Sequence, residues 1–331
     1  MKHAYSDGLY NQRIALFGPL PPPLGGVSVH VERVMHKLKN QHNDVFVFNS
    51  VSEWRYRFFI MYAFQFIFFL VRTRPHILIY HTTYLSNAII ELRLLLFLKH
   101  VLGYTLYLIE HDCRFIGTIS LHIKRHYQQI VSCIDKHIFI GSQTAARFIQ
   151  HNIYATVHTI ESAFLPPHTH TDEQYTYPQS LYAFIHTHDH IIAANAFQLS
   201  AIDGKELYGF DQLVIAFVRY AQDNKKVGLL LLLAQKGDKQ LYDSLCFTIA
   251  QYGMQEQVYI LVGNYLLWPL FKYIDLFVRP TISDGASVSV EEAIHFGIKT
   301  IASDVCWRPA TCVLYKSGDS HALYHALKEM I

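Results

Sequence analysis

Ten short, β-rich apolar runs alternate with segments of helical periodicity, and that alternation decides the fold class. In the first half they are RIALFG (13–18), DVFVFN (44–49), HILIYH (76–81), TLYLIEH (105–111) and KHIFIG (136–141). In the second half they are HIIAANAF (190–197), VGLLLLLA (227–234), QVYILVG (257–263), DLFVRP (275–280) and KTIASD (299–304). A strand with one wet face alternates apolar and polar residues. These runs are nearly continuous, as in parallel sheets covered by helices on both faces. Two successive sets of five predict two doubly wound α/β domains. A length of 331 residues agrees, being more than one core usually holds. Between the sets, LPPHTHTDEQYTYPQS (165–180) loses the apolar period and reads as a linker or surface excursion. The domains are expected at 1–162 and 163–331.

Composition removes several function classes. A net charge of +2 and the lack of a long basic run argue against a nucleic-acid partner. The five cysteines, at 113, 133, 246, 306 and 312, are scattered without a CxxC pair, as expected of reduced thiols in a cytoplasmic protein. The opening MKHAYSDGLYNQ lacks the apolar centre of a signal peptide. One segment, WRYRFFIMYAFQFIFFLVR (54–72), raises a membrane question. Its apolar stretch, 58–71, is short of the roughly 20 residues that span a bilayer. It fits either a core helix or a helix resting on a bilayer surface.

Ligands of open parallel sheets bind beyond the carboxyl ends of the strands, and three stretches lie there. In FGPLPPPLGGVSVHVERVMHKL (17–38), Gly25 and Gly26 open a helix with apolar residues at 27, 31, 34 and 38. Glycines there admit a ligand close to the backbone, and a helix N-terminus favours a phosphate; a ligand-free tight turn explains the pattern too. In ISDGASVSVEEAIHFG (282–297), Asp284 and Glu292 flank a run of small residues at the mouth of a helix starting near Ser287. Ser289 and Glu292 have capping-box spacing, with Gly297 as the terminator. Capping explains Glu292 but not the Asp284–Gly285 loop. Backbone amides beside two acids suit a ligand with a pyrophosphate and sugar hydroxyls. In LIEHDCRFIG (108–117), His111, Asp112 and Arg114 follow a strand; His111 is a site candidate or a partly buried core imidazole. The 21 histidines include FIHTHDHII (184–192), where His186, His188 and His190 would share one face of a strand and could ligate a metal. That run precedes its strand's apolar centre, at the end where parallel sheets do not bind ligands, so no metal is expected.

RPTISDGASVSVEEAIHFGIKTIASDV (279–305) resembles the donor-site signature of retaining glycosyltransferases of family four, of the bacterial surface-polysaccharide type. LGGVSVHVERV is similar to the family's N-terminal glycine loop, ESAFLPP (161–167) to its entry into the donor domain, and ANAFQLSAIDGKELYGFDQLVIAF (194–217) to its phosphate-binding strand and helix. The resemblance implies the GT-B fold, two Rossmann-like domains with a cleft between them, the first for the acceptor and the second for the donor. It implies that Glu292 bonds the donor ribose and Asp284 the sugar hydroxyls, standing where the family usually has Glu. Backbone at Gly285, Ser287 and Val288 would hold phosphate or sugar oxygens, Gly25 and Gly26 would approach the phosphates from the other domain, and His111 would face the reacting sugar. Asn195 falls in the phosphate-binding strand. The family's Arg and Lys on the diphosphate are replaced by Ala196 and Tyr208, with Lys205 and Arg279 as possible substitutes.

The implied activity is transfer of a sugar from a nucleotide-sugar donor to a glycan or lipid-linked acceptor. Configuration would be retained, with neither metal nor cofactor, at the inner face of the cell membrane. Alternatives are a non-catalytic nucleotide-sugar binding protein, a nucleotide-sugar epimerase, and a metal-dependent hydrolase built on the HTHDH run. Family members often end in a helix that closes onto the first domain; here only SHALYHALKEMI (320–331) follows the last strand.

Overall fold

The computed structural model describes residues 8–22, 25–50, 59–82, 85–167, 175–284 and 288–331. The chain packs as two units, one running to Leu165 and the other from Pro166. In the first, β1 (Arg13–Gly18), α1 (Gly26–Asn40), β2 (Asp44–Asn49), α2 (Phe59–Thr73), β3 (Ile77–His81), α3 (Leu85–Leu102), β4 (Thr105–Glu110), α4 (Leu121–Val131), β5 (Lys136–Ile140), α5 (Ser142–Gln150) and β6 (His158–Glu161) follow in order. The sheet order is β2-β1-β3-β4-β5-β6, parallel throughout. The chain builds outward from β1 to β2, then crosses back to β3. The crevice between β1 and β3 is therefore this sheet's topological switch point.

In the second unit come α6 (Gln179–Thr187), β7 (His190–Ala196), β8 (Ala201–Ile202), β9 (Lys205–Glu206), α7 (Phe210–Ala221), β10 (Val227–Leu233), α8 (Lys239–Gln251), β11 (Val258–Val262), β12 (Leu276–Arg279), α9 (Val288–His295), β13 (Lys299–Ser303), β14 (Val313–Tyr315) and α10 (Ser320–Met330). The order is β11-β10-β7-β12-β13-β14, again parallel. Its switch point lies between β7 and β12. All seven residues of β10, VGLLLLL, are buried, as a strand sandwiched between two helix layers requires. Leu229 and Leu231 point into the core beneath α7, α8 and α10, while Leu230 and Leu232 point into that beneath α6 and α9.

All ten expected strands are present, but each sheet has six, so the expected sets of five each lack a strand. β6 and β14 have four and three residues, too short for a periodic signal. The HTHDH run does not form the strand face that would gather its histidines. His186 lies in α6, and His188 ends that helix with Nδ1 against the Phe184 carbonyl at 2.8 Å. His190 begins β7 beside Asp275 at 3.6 Å. This removes the basis of the metal-dependent hydrolase alternative.

The aromatic segment forms α2 over 15 residues, with 51–58 outside the described residues. Tyr62, Phe66 and Leu70, at helical spacing, are buried in the core of the first sheet, and Phe64 and Phe68 on the other face are 69% and 66% exposed. No helix among the described residues is long and apolar enough to cross a membrane.

Candidate donor site at the second switch point

The register between β7 and β12 pairs Leu276 with Ile192 and Phe277 with Ala193. Continued two residues further, it sets Arg279 beside Asn195. Arg279 Nη1 donates to the Asn195 carbonyl at 2.9 Å, across the switch-point crevice. The Arg279 guanidinium lies 5.2 Å from the centre of the Tyr208 ring, a cation–π contact. Tyr208 occupies the position where the resemblance leads one to expect a lysine, so a cation from the neighbouring strand end stands beside it.

Two guanidiniums converge on Asp284. Arg279 Nε and Arg308 Nη1 both donate to Asp284 Oδ2 at 3.1 Å. Arg308 Nε also donates to the Ser303 carbonyl at 3.3 Å, which fixes the side chain at the end of β13. Burial pushes the Asp284 carboxyl up, but the two guanidiniums outweigh it and hold the group below the usual aspartate value. Burial alone would lower Arg279, and Asp284 reverses that. Two cations and one anion leave this buried cluster with a net charge of +1. Within it, Arg308 Nη2 and Asn195 Oδ1 are buried without a hydrogen-bond partner among the described residues. Such groups are rare in folded proteins and mark places where a ligand, ion or water completes the bonding.

The surrounding loops are tied together from several directions. Thr281 Oγ1 donates to the Leu207 carbonyl at 2.7 Å, and Ser303 Oγ to the Thr281 carbonyl at 2.6 Å. Gly209 has φ +68°, and a Cβ there would stand 2.1 Å from the Pro280 carbonyl oxygen. Only glycine lets the α7 approach pass so close to the end of β12.

Glu292 is buried in α9, which starts at Val288. Ser289 therefore sits inside the described helix, whereas the capping serine of a Ser289–Glu292 box would precede it. The helix does end as expected: Gly297 has φ +76°, Ile298 N–H donates to the Ala293 carbonyl and Gly297 N–H to that of Ile294, a Schellman motif. Val288 occupies the N-terminal turn, where backbone N–H groups lack intrahelical acceptors. Gly285 and Ser287 lie outside the described residues.

Lys205 is brought elsewhere. It stands exposed on the β8–β9 hairpin, where Glu206 accepts from the backbone N–H groups of Tyr208 and Phe210. Together with Asp203, Asp211, Thr248 and Ser283 it lines a cavity of about 790 Å³ that does not include Asp284, Arg279 or Glu292. The cavity and the charged cluster meet at the Ile282–Ser283 turn.

In the first unit, Gly26 begins α1, and a Cβ there would meet nothing within 4 Å. No neighbour among the described residues requires glycine at this position. His111 follows β4, with Nε2 3.0 Å from His81 Nδ1. The Arg114 side chain lies outside the described residues.

Arg308 is the residue that sequence reasoning missed. It follows β13 in a CWRP turn that no spacing rule ties to Asp284, and only the fold brings the two together.

No family model matches the chain, and no curated protein matches it. Solved structures do. HepE of Anabaena in complex with UDP-glucose is similar with a TM-score of 0.65 at 14% identity, over 96% of this chain and 89% of that one. Sucrose-phosphate synthase of Thermosynechococcus elongatus gives 0.67 at 13%, over 96% and 88%. A glycosyltransferase from Rickettsia africae gives 0.69 at 12%, over 97% and 88%. The fold is thus that of the GT-B glycosyltransferases, with two parallel six-stranded sheets.

Proposed function

We propose that this protein is a retaining glycosyltransferase that moves a sugar from a nucleotide-sugar donor to a glycan or lipid-linked glycan acceptor. The observation that carries this reading is the buried Arg279–Asp284–Arg308 cluster at the switch point of the second sheet. A departing nucleoside diphosphate develops negative charge, and preorganised cations in a dry site stabilise it. Arg279 and Arg308 are the cations this chain offers where the expected Arg and Lys are absent. Their presence weighs against the non-catalytic binding alternative. UDP and UDP-glucose in HepE structures make a uridine diphosphate sugar the first donor to test.

Glu292 would accept from the ribose hydroxyls. Asp284 would accept from hydroxyls of the transferred sugar with the lone pairs that the guanidiniums leave free, since a carboxylate has about four acceptor sites. The backbone N–H of Val288, with those of Gly285 and Ser287, would bond phosphate or sugar oxygens. Asn195 Oδ1 and Arg308 Nη2 supply an acceptor and a donor that a ligand would satisfy. The leaving phosphate takes the acceptor's proton on the face it departs from, so no side chain serves as general base and no metal enters this step.

The exposed face of α2 supports an acceptor at a membrane surface. Phe64, Phe68, Met61 and Val71 present apolar surface, and Ile90, Phe97 and Val101 of α3 are exposed as well. Arg72 and Arg93 lie exposed on these two helices, and the acid they contain, Glu91, is buried against the Tyr80 hydroxyl. An apolar face with basic flanks is the pattern of a helix resting on anionic lipid.

The test is release of labelled sugar from UDP-glucose and related donors, with and without membrane extract, by wild type and Arg308→Met. Acceptor-dependent transfer that falls at least ~100-fold in the variant supports the reading. Donor isomerisation without acceptor would replace it with an epimerase, and equal transfer by both proteins would remove Arg308 from the site.

A further inference from the structure

The first sheet has its own switch point, and three histidines meet there. His30 comes from the first turns of α1, His81 is the last residue of β3, and His111 follows β4. His30 and His81 are buried and His111 is partly so. One ring nitrogen from each lies within 4.8 Å of the other two. We propose that His30, His81 and His111 form a three-imidazole site for a divalent transition ion of the zinc class.

Two features support it. A carbonyl can only accept, so the His30 Nδ1–H donates to Ala163 O at 3.0 Å. Metal-ligating histidines are commonly oriented by such a bond from the second nitrogen. His81 Nδ1 and His111 Nε2 are 3.0 Å apart, close to the roughly 3.3 Å that two nitrogens adopt on a tetrahedral zinc with bonds of ~2.05 Å. Three protein ligands leave a fourth position for an oxygen ligand, as in open zinc sites. The backbone spacing favours this too: a Cβ at Gly18 would strike Val31 at 2.9 Å and His81 Cβ at 3.2 Å, so glycine brings α1 and β3 together over β1.

The site is independent of the donor reading, because its ligands all lie in the first unit and the test measures metal alone. Chelator-treated full-length protein is titrated with Co²⁺, whose tetrahedral complexes absorb strongly in the visible, and then with Zn²⁺ in competition. The expected result is one ion per chain, displaced by zinc, with affinity falling by about 100-fold or more in His111→Asn and in His81→Phe. Circular dichroism checks that each variant folds; His111, being partly exposed, is the safer substitution. The i,i+4 pairs His122/His126 and His321/His325, with ring centres 4.4 Å and 4.5 Å apart, are the competing surface sites. No tetrahedral spectrum in wild type would overturn the proposal. So would binding that survives His111→Asn and disappears when either pair is changed to alanine.

Discussion

Replacing Asp284 by Asn removes the anion between two guanidiniums and keeps its shape. Stability and donor binding should then move in opposite directions. Breaking a buried ion pair by removing one partner costs about 3–5 kcal/mol. Asn keeps one acceptor oxygen for Arg279 or Arg308, so the lower end, about 3 kcal/mol, is expected. For a unit of this size that lowers Tm by roughly 6–12 °C. The loss depends on pH with a definite sign. The folded Asp284 titrates below its model value of 3.8 because the two arginines outweigh its burial. Its contribution is complete above pH 3.8 and fades as pH falls through the lower folded value, so the gap between wild type and variant closes in strong acid. Donor binding should do the reverse. The cluster charge rises from +1 to +2, and one further unit of charge near a diphosphate is worth about 1.4 kcal/mol after screening, or tenfold in Kd. Titration calorimetry at low salt should show UDP binding about tenfold tighter to the variant, with the advantage of UDP-glucose over UDP reduced. UDP bound equally or more weakly by a folded variant would refute the idea that these guanidiniums face the diphosphate.

Three further outcomes follow from other parts of the fold. Gly209→Ala forces a positive φ on alanine and drives a Cβ against Pro280, so chemical denaturation should show a loss of at least ~2 kcal/mol; an unchanged midpoint would contradict the close approach. In metal-free protein, His81 and His111 are held neutral while their unfolded forms protonate below pH ~6.5. Stability should therefore fall as pH drops below that value, by up to about 2.7 kcal/mol per pH unit for the two groups, and His81→Phe with His111→Asn should flatten the slope. Phe64→Ser with Phe68→Ser should abolish co-sedimentation with vesicles containing anionic lipid without lowering Tm, because both rings are exposed; full vesicle binding by the folded double variant would exclude α2 as the docking face.

What the sequence revealed divides along physical lines. The long central strands were legible because burial on both faces leaves no polar residues in runs such as VGLLLLL. HTIE and VLY at the sheet edges carry too few apolar residues to stand out, so the sixth strand of each sheet was missed. The Asp284–Glu292 spacing pointed to the second switch point because Asp284 lies in the loop between β12 and α9 and Glu292 lies within α9. Arg308 and the His30–His81–His111 cluster were invisible for the opposite reason. Their members come from separate strand–helix turns, and only parallel pairing places those turns side by side. The conspicuous HTHDH run misled by density alone, since His186 lies in α6, His188 caps its end and His190 begins β7.

The central claim is that the second unit holds a nucleoside diphosphate sugar against Glu292 and the Arg279–Asp284–Arg308 cluster. The most direct test is a thermal-shift panel of nucleoside diphosphates and their sugars on wild type and Glu292→Ala. A ligand that binds the folded state at 100 times its Kd stabilises it by about 2.7 kcal/mol. The account predicts a clear rise in Tm for one nucleoside diphosphate and its sugar, lost or strongly reduced in the variant. No rise with any of them, or a rise equal in both proteins, would contradict it.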